Sequence, residues 1–175
     1  IKTAEHSLLL AKKHDLKTIL NPAPFLKTEK DIWSLVDFLT PNEHEASAIT
    51  GIDIKDPATA SIAGKKICQM GVKTSIITLG SNGVLCTLNQ NDEGLHVMPP
   101  MLSGNIIDTV GAGDVFNGAF SVAISEGMDI EKALRFSNTA AAIALACVDR
   151  SVGWPLAIFP SDHFIENDTK FNNII

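Results

Sequence analysis

Short apolar segments alternate with amphipathic helical segments along this chain, and this alternation limits the fold more than any other feature. Near the start, the pattern predicts a helix over residues 3–15 and then a β-prone run at 17–21. Farther on, it predicts a helix over 57–70 and a strand over 73–79. Strands this short and this uniformly apolar are typical of a sheet that is covered on both faces. The expected fold is therefore α/β, with a largely parallel sheet flanked by helices on both faces.

The sequence predicts further strands and helices, and the polar segments lie between them. They are strands at 35–39, 84–88 and 96–98, and helices over 41–50, 113–126 and 130–147. Asn82-Gly83 between two β-prone runs is a typical hairpin turn. In sheets of this class, ligands bind beyond the carboxyl ends of the strands. Three polar segments are expected there, at 21–24, 40–43 and 78–81.

Composition and charge exclude several classes of function. The chain has 175 residues, 45% of them hydrophobic, and a formal net charge of -6. A mildly acidic chain without a basic run has little bulk affinity for nucleic acid or for an anionic membrane. The apolar run at 140–148 is far shorter than the roughly 20 residues of a membrane span. The three cysteines are widely spaced in apolar surroundings, which favours free thiols and a cytoplasmic location.

The segment that offers most chemistry runs from Val110 through Gly111-Ala112-Gly113 to Asp114. Glycines directly before an apolar helix leave its first N–H groups open to an anion. Asp114 in the first helical turn could accept a proton from a hydroxyl that attacks this anion. No Lys-Ser/Thr follows, which excludes a P-loop, and the third glycine of a dinucleotide-binding fingerprint is missing. Spacing alone leaves open a tight turn in which Asp114 only stabilises the helix dipole.

The second polar segment combines two possible roles at the start of one helix. Thr40 and Glu43 have the spacing of a capping box, with Pro41 at the first helical position. Asn42 and Glu45 are three residues apart and are therefore expected on one face of the first turn. An amide and a carboxylate together suit the water shell of Mg²⁺. The residues alone favour neither the structural nor the metal-binding interpretation decisively.

The third polar segment, Thr78-Leu79-Gly80-Ser81-Asn82-Gly83, directly follows a predicted apolar strand. It is either a hairpin turn or a loop that covers a nucleotide. The five histidines show no metal-ligand spacing, so the sequence predicts exposed or structural roles for them.

Six motifs occur together in this chain. They are Asn-Pro-Ala-Pro at 21–24, Thr-Pro-Asn-Glu-His-Glu-Ala at 40–46, Thr-Gly-Ile at 50–52, Ile-Thr-Leu-Gly at 77–80, Asp-Thr-Val-Gly-Ala-Gly-Asp at 108–114 and Phe-Asn-Gly-Ala at 116–119. In this order, the motifs resemble the ribokinase family of sugar kinases, from about residue 8 to residue 148. The resemblance implies a ribokinase-like fold and ATP-dependent phosphorylation of the 5-hydroxyl of D-ribose. A related sugar or nucleoside kinase is the alternative within the same family.

The resemblance also implies roles for individual residues. Asp114 is similar to the family's catalytic base, which contacts the substrate hydroxyl. Gly111, Ala112 and Gly113 are similar to its anion hole. The ATP-binding residues that the resemblance implies are Asn42, Thr78, Leu79, Gly80, Ser81, Asn82, Gly83, Gly113, Asp114 and Asn138.

Two cation sites follow from the same resemblance. Asn42 and Glu45 match a pair that places phosphate and Mg²⁺, with Glu45 acting on the metal indirectly. Asp108 and the backbone carbonyl of Val110 correspond to part of an activating K⁺ site. After Arg150, however, the chain is longer than the compact Gly-Ala loop that completes this site in the family. K⁺ dependence therefore stays open at this point.

Members of this family are about twice as long, in line with one α/β domain plus a small lid. We therefore expect residues 1–175 to be the C-terminal, ATP-binding and catalytic part of such a domain, with Ile1 at a cut within a longer protein. The lid and the N-terminal half would be missing. The expected ligands are ATP and a small-molecule sugar, and the expected association is a homodimer or dependence on the missing half. A catalytically inactive nucleotide-binding fragment is the alternative from another class.

Overall fold

The structure of the protein, a computed structural model, describes residues 2–25, 32–100 and 111–147. The helices and strands are α1 (Lys2–Lys13), β1 (Ile19–Leu20), β2 (Phe38–Leu39), α2 (Glu43–Thr50), α3 (Pro57–Gln69), β3 (Thr74–Thr78), β4 (Val84–Thr87), β5 (Leu95–Val97), α4 (Ala112–Ser125) and α5 (Ile130–Cys147). Short 3₁₀ turns lie at Trp33–Leu35 and Gly80–Asn82. Across the described ranges, none of the helices has both the length and the apolarity that crossing a membrane requires.

The described strands form one sheet in the order β1-β2-β3-β4-β5. β1, β2 and β3 are parallel, whereas β4 and β5 run antiparallel to their neighbours. The predicted α/β fold is confirmed, and the sheet is mixed because a hairpin reverses the chain between Thr78 and Val84. Since the first three strands are parallel, their carboxyl ends meet at one edge of the sheet.

Helices cover both faces of this sheet, as the alternation of buried side chains shows. Ile77 packs into a cluster with residues of α1, α2 and α3, whereas its neighbour Ile76 packs into a second cluster with residues of α4 and α5. In the second cluster, the rings of Phe38 and Phe120 meet edge to face, with their centroids 5.3 Å apart. This contact holds α4 against β2.

Helix α2 begins at Glu43, so the predicted capping box of Thr40 and Glu43, with Pro41 in the first turn, is wrong. The backbone at this point still belongs to the sheet. Thr40 N–H donates to the end of β1 at 2.9 Å, and Thr78 N–H donates to the Pro41 carbonyl at 3.0 Å. The Pro41 carbonyl is therefore engaged with β3, and the helix begins only after Asn42, which is the N-cap.

The strand predicted over 35–39 is reduced to β2, and a side-chain network surrounds its amino end. Thr18 donates to the buried Asp37 carboxylate twice, from its backbone N–H at 2.9 Å and its hydroxyl at 3.0 Å. Lys12 and Lys73 form salt bridges with the same carboxylate at 3.2 and 2.6 Å. Burial raises the pKa of Asp37, but the hydrogen bonds from Lys73, Thr18 and Lys12 outweigh burial and lower the pKa to about 2.

Candidate functional site

A cavity of about 180 Å³ opens at the sheet edge where β1, β2 and β3 end, and the amino end of α4 forms part of its wall. Its lining residues are Asn21, Ala23, Thr40, Asn42, Glu45, Thr78, Gly111, Gly113, Asp114 and Asn117. The structure therefore brings together predicted site residues from three separate segments of the chain. The location agrees with the expectation that ligands bind at the carboxyl ends of parallel strands.

On the α2 side of the cavity, Asn42 and Glu45 form a reciprocal capping box. Glu45 N–H donates to Asn42 Oδ1, and Asn42 N–H donates to Glu45 Oε2, both at 2.8 Å. The cap therefore uses the amide oxygen of Asn42 and one carboxylate oxygen of Glu45. What remains for a ligand is the Asn42 NH₂ group, which donates, and Glu45 Oε1, which accepts. The pair thus suits a phosphate oxygen at Asn42 and a hydrated cation at Glu45, rather than one cation bound by both.

On the opposite side, α4 begins in a way that leaves its first turn open. Gly111 is the N-cap, in the left-handed region with φ 85°, and it has no side chain that could cap the helix. Gly113 also lines the cavity, and among the described residues no heavy atom outside the helix backbone lies within 4 Å of the position that a Cβ would take there. An anion can therefore approach the amino end of α4, where the helix dipole favours negative charge. The anion hole at 111–113 stays a prediction, and the open space at Gly113 is compatible with it.

Two acidic side chains line this cavity. Asp114 is half-buried in the first turn of α4, and Glu45 faces it from α2. Among the described lining residues there is no lysine or arginine. Any phosphate that binds here is stabilised by backbone amides, by Asn42 and by a cation that enters with it.

Asn117 lines the same cavity, although sequence reasoning assigned it no role. Its Oδ1 is buried and has no hydrogen-bond partner in the described part of the chain. Asn117 lies three residues after Asp114 on α4, and this spacing on a helix face was the signal that could have identified it. Asn21 and Thr40 join the cavity from the ends of β1 and β2.

The residues of the predicted nucleotide segment, 78–83, lie in different surroundings in the structure. Thr78 lines the cavity, whereas Leu79 is buried in the core. Gly80, Ser81 and Asn82 form an exposed 3₁₀ turn beyond the cavity lining, and Gly83 follows as the residue before β4. The segment is thus the connection of a hairpin, as one of the two interpretations expected.

Asn138 also lies outside the cavity lining. It is buried on α5, and its Nδ2 donates to the Val97 carbonyl at 2.9 Å. The other predicted ATP contacts, at Asn42, Thr78, Gly113 and Asp114, are all at the cavity.

The predicted K⁺ residues, Asp108 and Val110, lie outside the described residues. Within those residues, no group of three or more His, Cys, Asp or Glu side chains is arranged to hold a metal ion. A larger cleft of about 520 Å³ lies beside β1 and is lined by Lys17, Ile19, Ser121, Ile124 and Ser125. None of the predicted site residues that the structure describes lines this cleft.

Known proteins share this arrangement of segments. A sequence model of the pfkB family carbohydrate kinases matches residues 2–155. Ribokinase from Haemophilus influenzae is 38% identical over 136 residues, which cover 78% of this chain and 43% of that protein. Deoxyribokinase from Salmonella typhi is 32% identical over 136 residues, covering 77% of this chain and 43% of that protein.

The chain is also similar to a solved structure. The structure of Arabidopsis thaliana ribokinase complexed with ribose and ATP matches with a TM-score of 0.70 at 30% identity, covering 81% of this chain and 45% of that chain. The chain thus spans less than half the length of the proteins it resembles.

Proposed function

This chain belongs to the pfkB family of carbohydrate kinases, and on that premise we propose that its cavity is the phosphoryl-transfer centre of an ATP-dependent ribokinase. The complete protein would transfer the γ-phosphate of ATP to the 5-hydroxyl of D-ribose in the cytoplasm. The observation that carries this proposal is the cavity itself, where the Asp114 carboxylate and the open amino end of α4 lie together.

Asp114 performs the proton transfer in this proposal. Its carboxylate accepts the proton of the sugar hydroxyl as the hydroxyl oxygen attacks the γ-phosphorus of ATP. The position of Asp114 in the first turn of α4 keeps the base beside the amides that receive the phosphoryl group. The acceptor and the phosphate are thereby held next to each other, which is the main contribution that an enzyme makes to this reaction.

The amides at 111–113 stabilise the charge that develops on the transferred group. Gly111 and Gly113 leave room for the phosphoryl oxygens, and the helix dipole points its positive end at them. Asn42 adds a donor from the other side of the cavity through its NH₂ group. These contacts involve oxygens whose charge changes during transfer, so they act on the rate as well as on binding.

Glu45 would hold Mg²⁺ through water, and the ion would neutralise the phosphates of ATP. The residues present fit this ion, because one Glu45 oxygen remains outside the capping box and the described lining has no cationic side chain to replace the metal. We also include in the proposal an activating K⁺ site formed by Asp108 and the carbonyl of Val110. Replacing K⁺ by Na⁺ in the assay tests this part separately.

Two alternatives remain. The first is a kinase of the same family that acts on another sugar. It is supported by the deoxyribokinase relative, which is 32% identical to this chain. A nucleotide-binding fragment without activity is supported by the coverage of only 43% of the ribokinase from Haemophilus influenzae. Because of that coverage, our proposal concerns the complete protein, as a homodimer or with further chain that completes the sugar pocket.

The test is phosphorylation by the natural protein across ribose, 2-deoxyribose, fructose and a nucleoside, with ADP release as the readout. We expect ribose to give the highest kcat/KM. Asp114→Asn should lower kcat by about 10³-fold while the Kd for ATP changes by less than about threefold, because asparagine keeps the size and polarity of the side chain but cannot accept the proton of the hydroxyl. Asp53→Asn, at an exposed acid away from the cavity, is the matched control and should leave kcat unchanged.

Unchanged turnover in Asp114→Asn would overturn the assignment of the base. ATP binding without phosphorylation of any sugar would instead support the inactive fragment, and a preference for 2-deoxyribose would support the sister kinase.

A further inference from the structure

The loop between β3 and β4 is folded on itself, but its internal bonds do not orient it against the sheet. Leu79 N–H donates to the Gly83 carbonyl at 2.7 Å, and Asn82 N–H donates to the Leu79 carbonyl at 3.0 Å. These bonds fix the shape of the loop only. The exposed end of the loop, beyond the buried Leu79, makes two contacts with β5.

The first contact is a hydrogen bond between His96 and the last residue of the 3₁₀ turn. His96 Nε2 lies 2.6 Å from the carbonyl oxygen of Asn82. Because a carbonyl oxygen can only accept, Nε2 must be the protonated nitrogen of the ring. His96 pairs with Leu85 in the β4–β5 ladder, so the sheet fixes the backbone from which the ring extends.

The second contact is the close approach of Gly83 to the Val97 carbonyl. A Cβ at Gly83, where φ is 80°, would overlap this oxygen. The same oxygen accepts the buried hydrogen bond from Asn138 Nδ2 at 2.9 Å. The Val97 carbonyl therefore cannot move away without breaking that bond, and β5 joins the loop to α5.

We infer that His96 is a positioning residue for ATP, which holds the Asn82 carbonyl and with it the loop at 79–83 in the orientation that meets the nucleotide. The inference rests on the proposed function, which assigns this loop to ATP. His96 is exposed and does not line the cavity that contains Asp114. Its loss therefore weakens ATP binding and leaves the chemical step unchanged.

Two substitutions in the natural protein separate the hydrogen bond from the ring. His96→Phe keeps a ring of similar size without a donor, and His96→Gln supplies an N–H donor on a flexible side chain. We expect His96→Phe to raise the KM for ATP by about three- to tenfold, the range for one lost hydrogen bond. The kcat and the KM for the sugar should stay within about twofold, because the loop makes no contact with the reacting hydroxyl. His96→Gln should recover most of the affinity for ATP.

The matched control is His6→Phe, at an exposed histidine on α1 away from the loop, which should change none of these constants. Ring ¹⁵N shifts of the wild-type protein provide a second readout that needs no turnover, and they should show hydrogen on Nε2 of His96. An unchanged KM for ATP in His96→Phe, or equal losses in both variants, would overturn the inference. A parallel fall in kcat would do the same, because it would place His96 in the chemical step.

A wild-type protein that phosphorylates no sugar would instead contradict the proposed function. The inference and the proposed function therefore fail in different ways, since His96 is judged only by changes relative to an active wild type.

Discussion

The acidic side chains at the two ends of β1, β2 and β3 differ in their hydrogen-bond and ion-pair partners. At the amino ends, Asp37 is buried and receives hydrogen bonds from Thr18, Lys12 and Lys73. At the carboxyl ends, Asp114 and Glu45 line an open cavity whose described residues include no lysine or arginine. Thr18 and two lysines satisfy the first carboxylate within the fold, whereas the described residues that line the cavity offer no cationic side chain to a bound phosphate.

This difference separates stability from function along a single sheet. A carboxylate whose hydrogen bonds and salt bridges are made within the protein lowers the free energy of the folded state. The same carboxylate is not available to bind a substrate. At the cavity, Glu45 does help to cap α2, but the buried Oδ1 of Asn117 has no hydrogen-bond partner among the described residues, and this oxygen contributes nothing to folding. Substitutions at the two ends should therefore affect different measurements.

The largest effect on stability is expected at the amino ends. Asp37→Ala should lower the free energy of unfolding by about 3 kcal/mol, because it leaves the Thr18 N–H without its partner and removes a buried charge that two lysines compensate. Urea unfolding followed by circular dichroism measures this change. Asp53→Ala is the matched control, since it removes an exposed salt bridge to Lys55 and should have a much smaller effect. Equal losses in the two variants would show that the hydrogen bonds and salt bridges of Asp37 stabilise the fold no more than one exposed ion pair does.

Low pH should also remove the contribution of Asp37 to the free energy of unfolding, with an effect somewhat smaller than that of Asp37→Ala. The pKa of Asp37 is lowered from 3.8 to about 2 in the folded chain, so protons bind the unfolded chain more readily. The contribution to stability is thus complete above about pH 4 and disappears as the pH falls towards 2, with a total of about 2 kcal/mol. Urea unfolding at pH 5 and at pH 2.5 should show a wild-type advantage over Asp37→Asn that shrinks at the lower pH. Parallel pH profiles would contradict a lowered pKa.

Local signals were sufficient for the part of the site on α4. The glycines at 111 and 113 stand directly before an apolar helix, and the structure begins α4 at Ala112, within one residue of the prediction. The helices α3 and α5 were also recovered closely, because their periodic apolar residues and their ends lie within the segment itself. In these places the chain needs no distant partner to choose its structure.

Distant partners explain what the sequence could not predict. Pro41 reads as a first helical residue, but its carbonyl accepts a hydrogen bond from Thr78 N–H, so the helix starts later and Asn42 becomes the cap. Asp37 was placed in a strand without a role, because neither Lys12 nor Lys73 is near it in sequence. Pairings of this kind exist only once the sheet has formed.

The smallest change in stability, with a separate effect on function, is expected at Gly113. Gly113→Ala should raise the free energy of unfolding by about 0.5 kcal/mol, because alanine favours a helix and the new methyl group would meet none of the described residues beyond the helix backbone within 4 Å. The same methyl group would occupy the space beside the first amides of α4, so turnover should fall by about tenfold or more as the phosphate is displaced.

Gly118→Ala is the matched control for this prediction. It lies on the same helix and does not line the cavity, and its Cβ would also meet no described residue beyond the helix backbone within 4 Å. It should therefore give the same rise in thermal stability with unchanged turnover and unchanged ATP affinity. Loss of activity in Gly118→Ala to the same degree would mean that α4 as a whole is sensitive to substitution. Loss in Gly113→Ala alone would locate the anion at the amino end of α4, where folding makes no use of the open space.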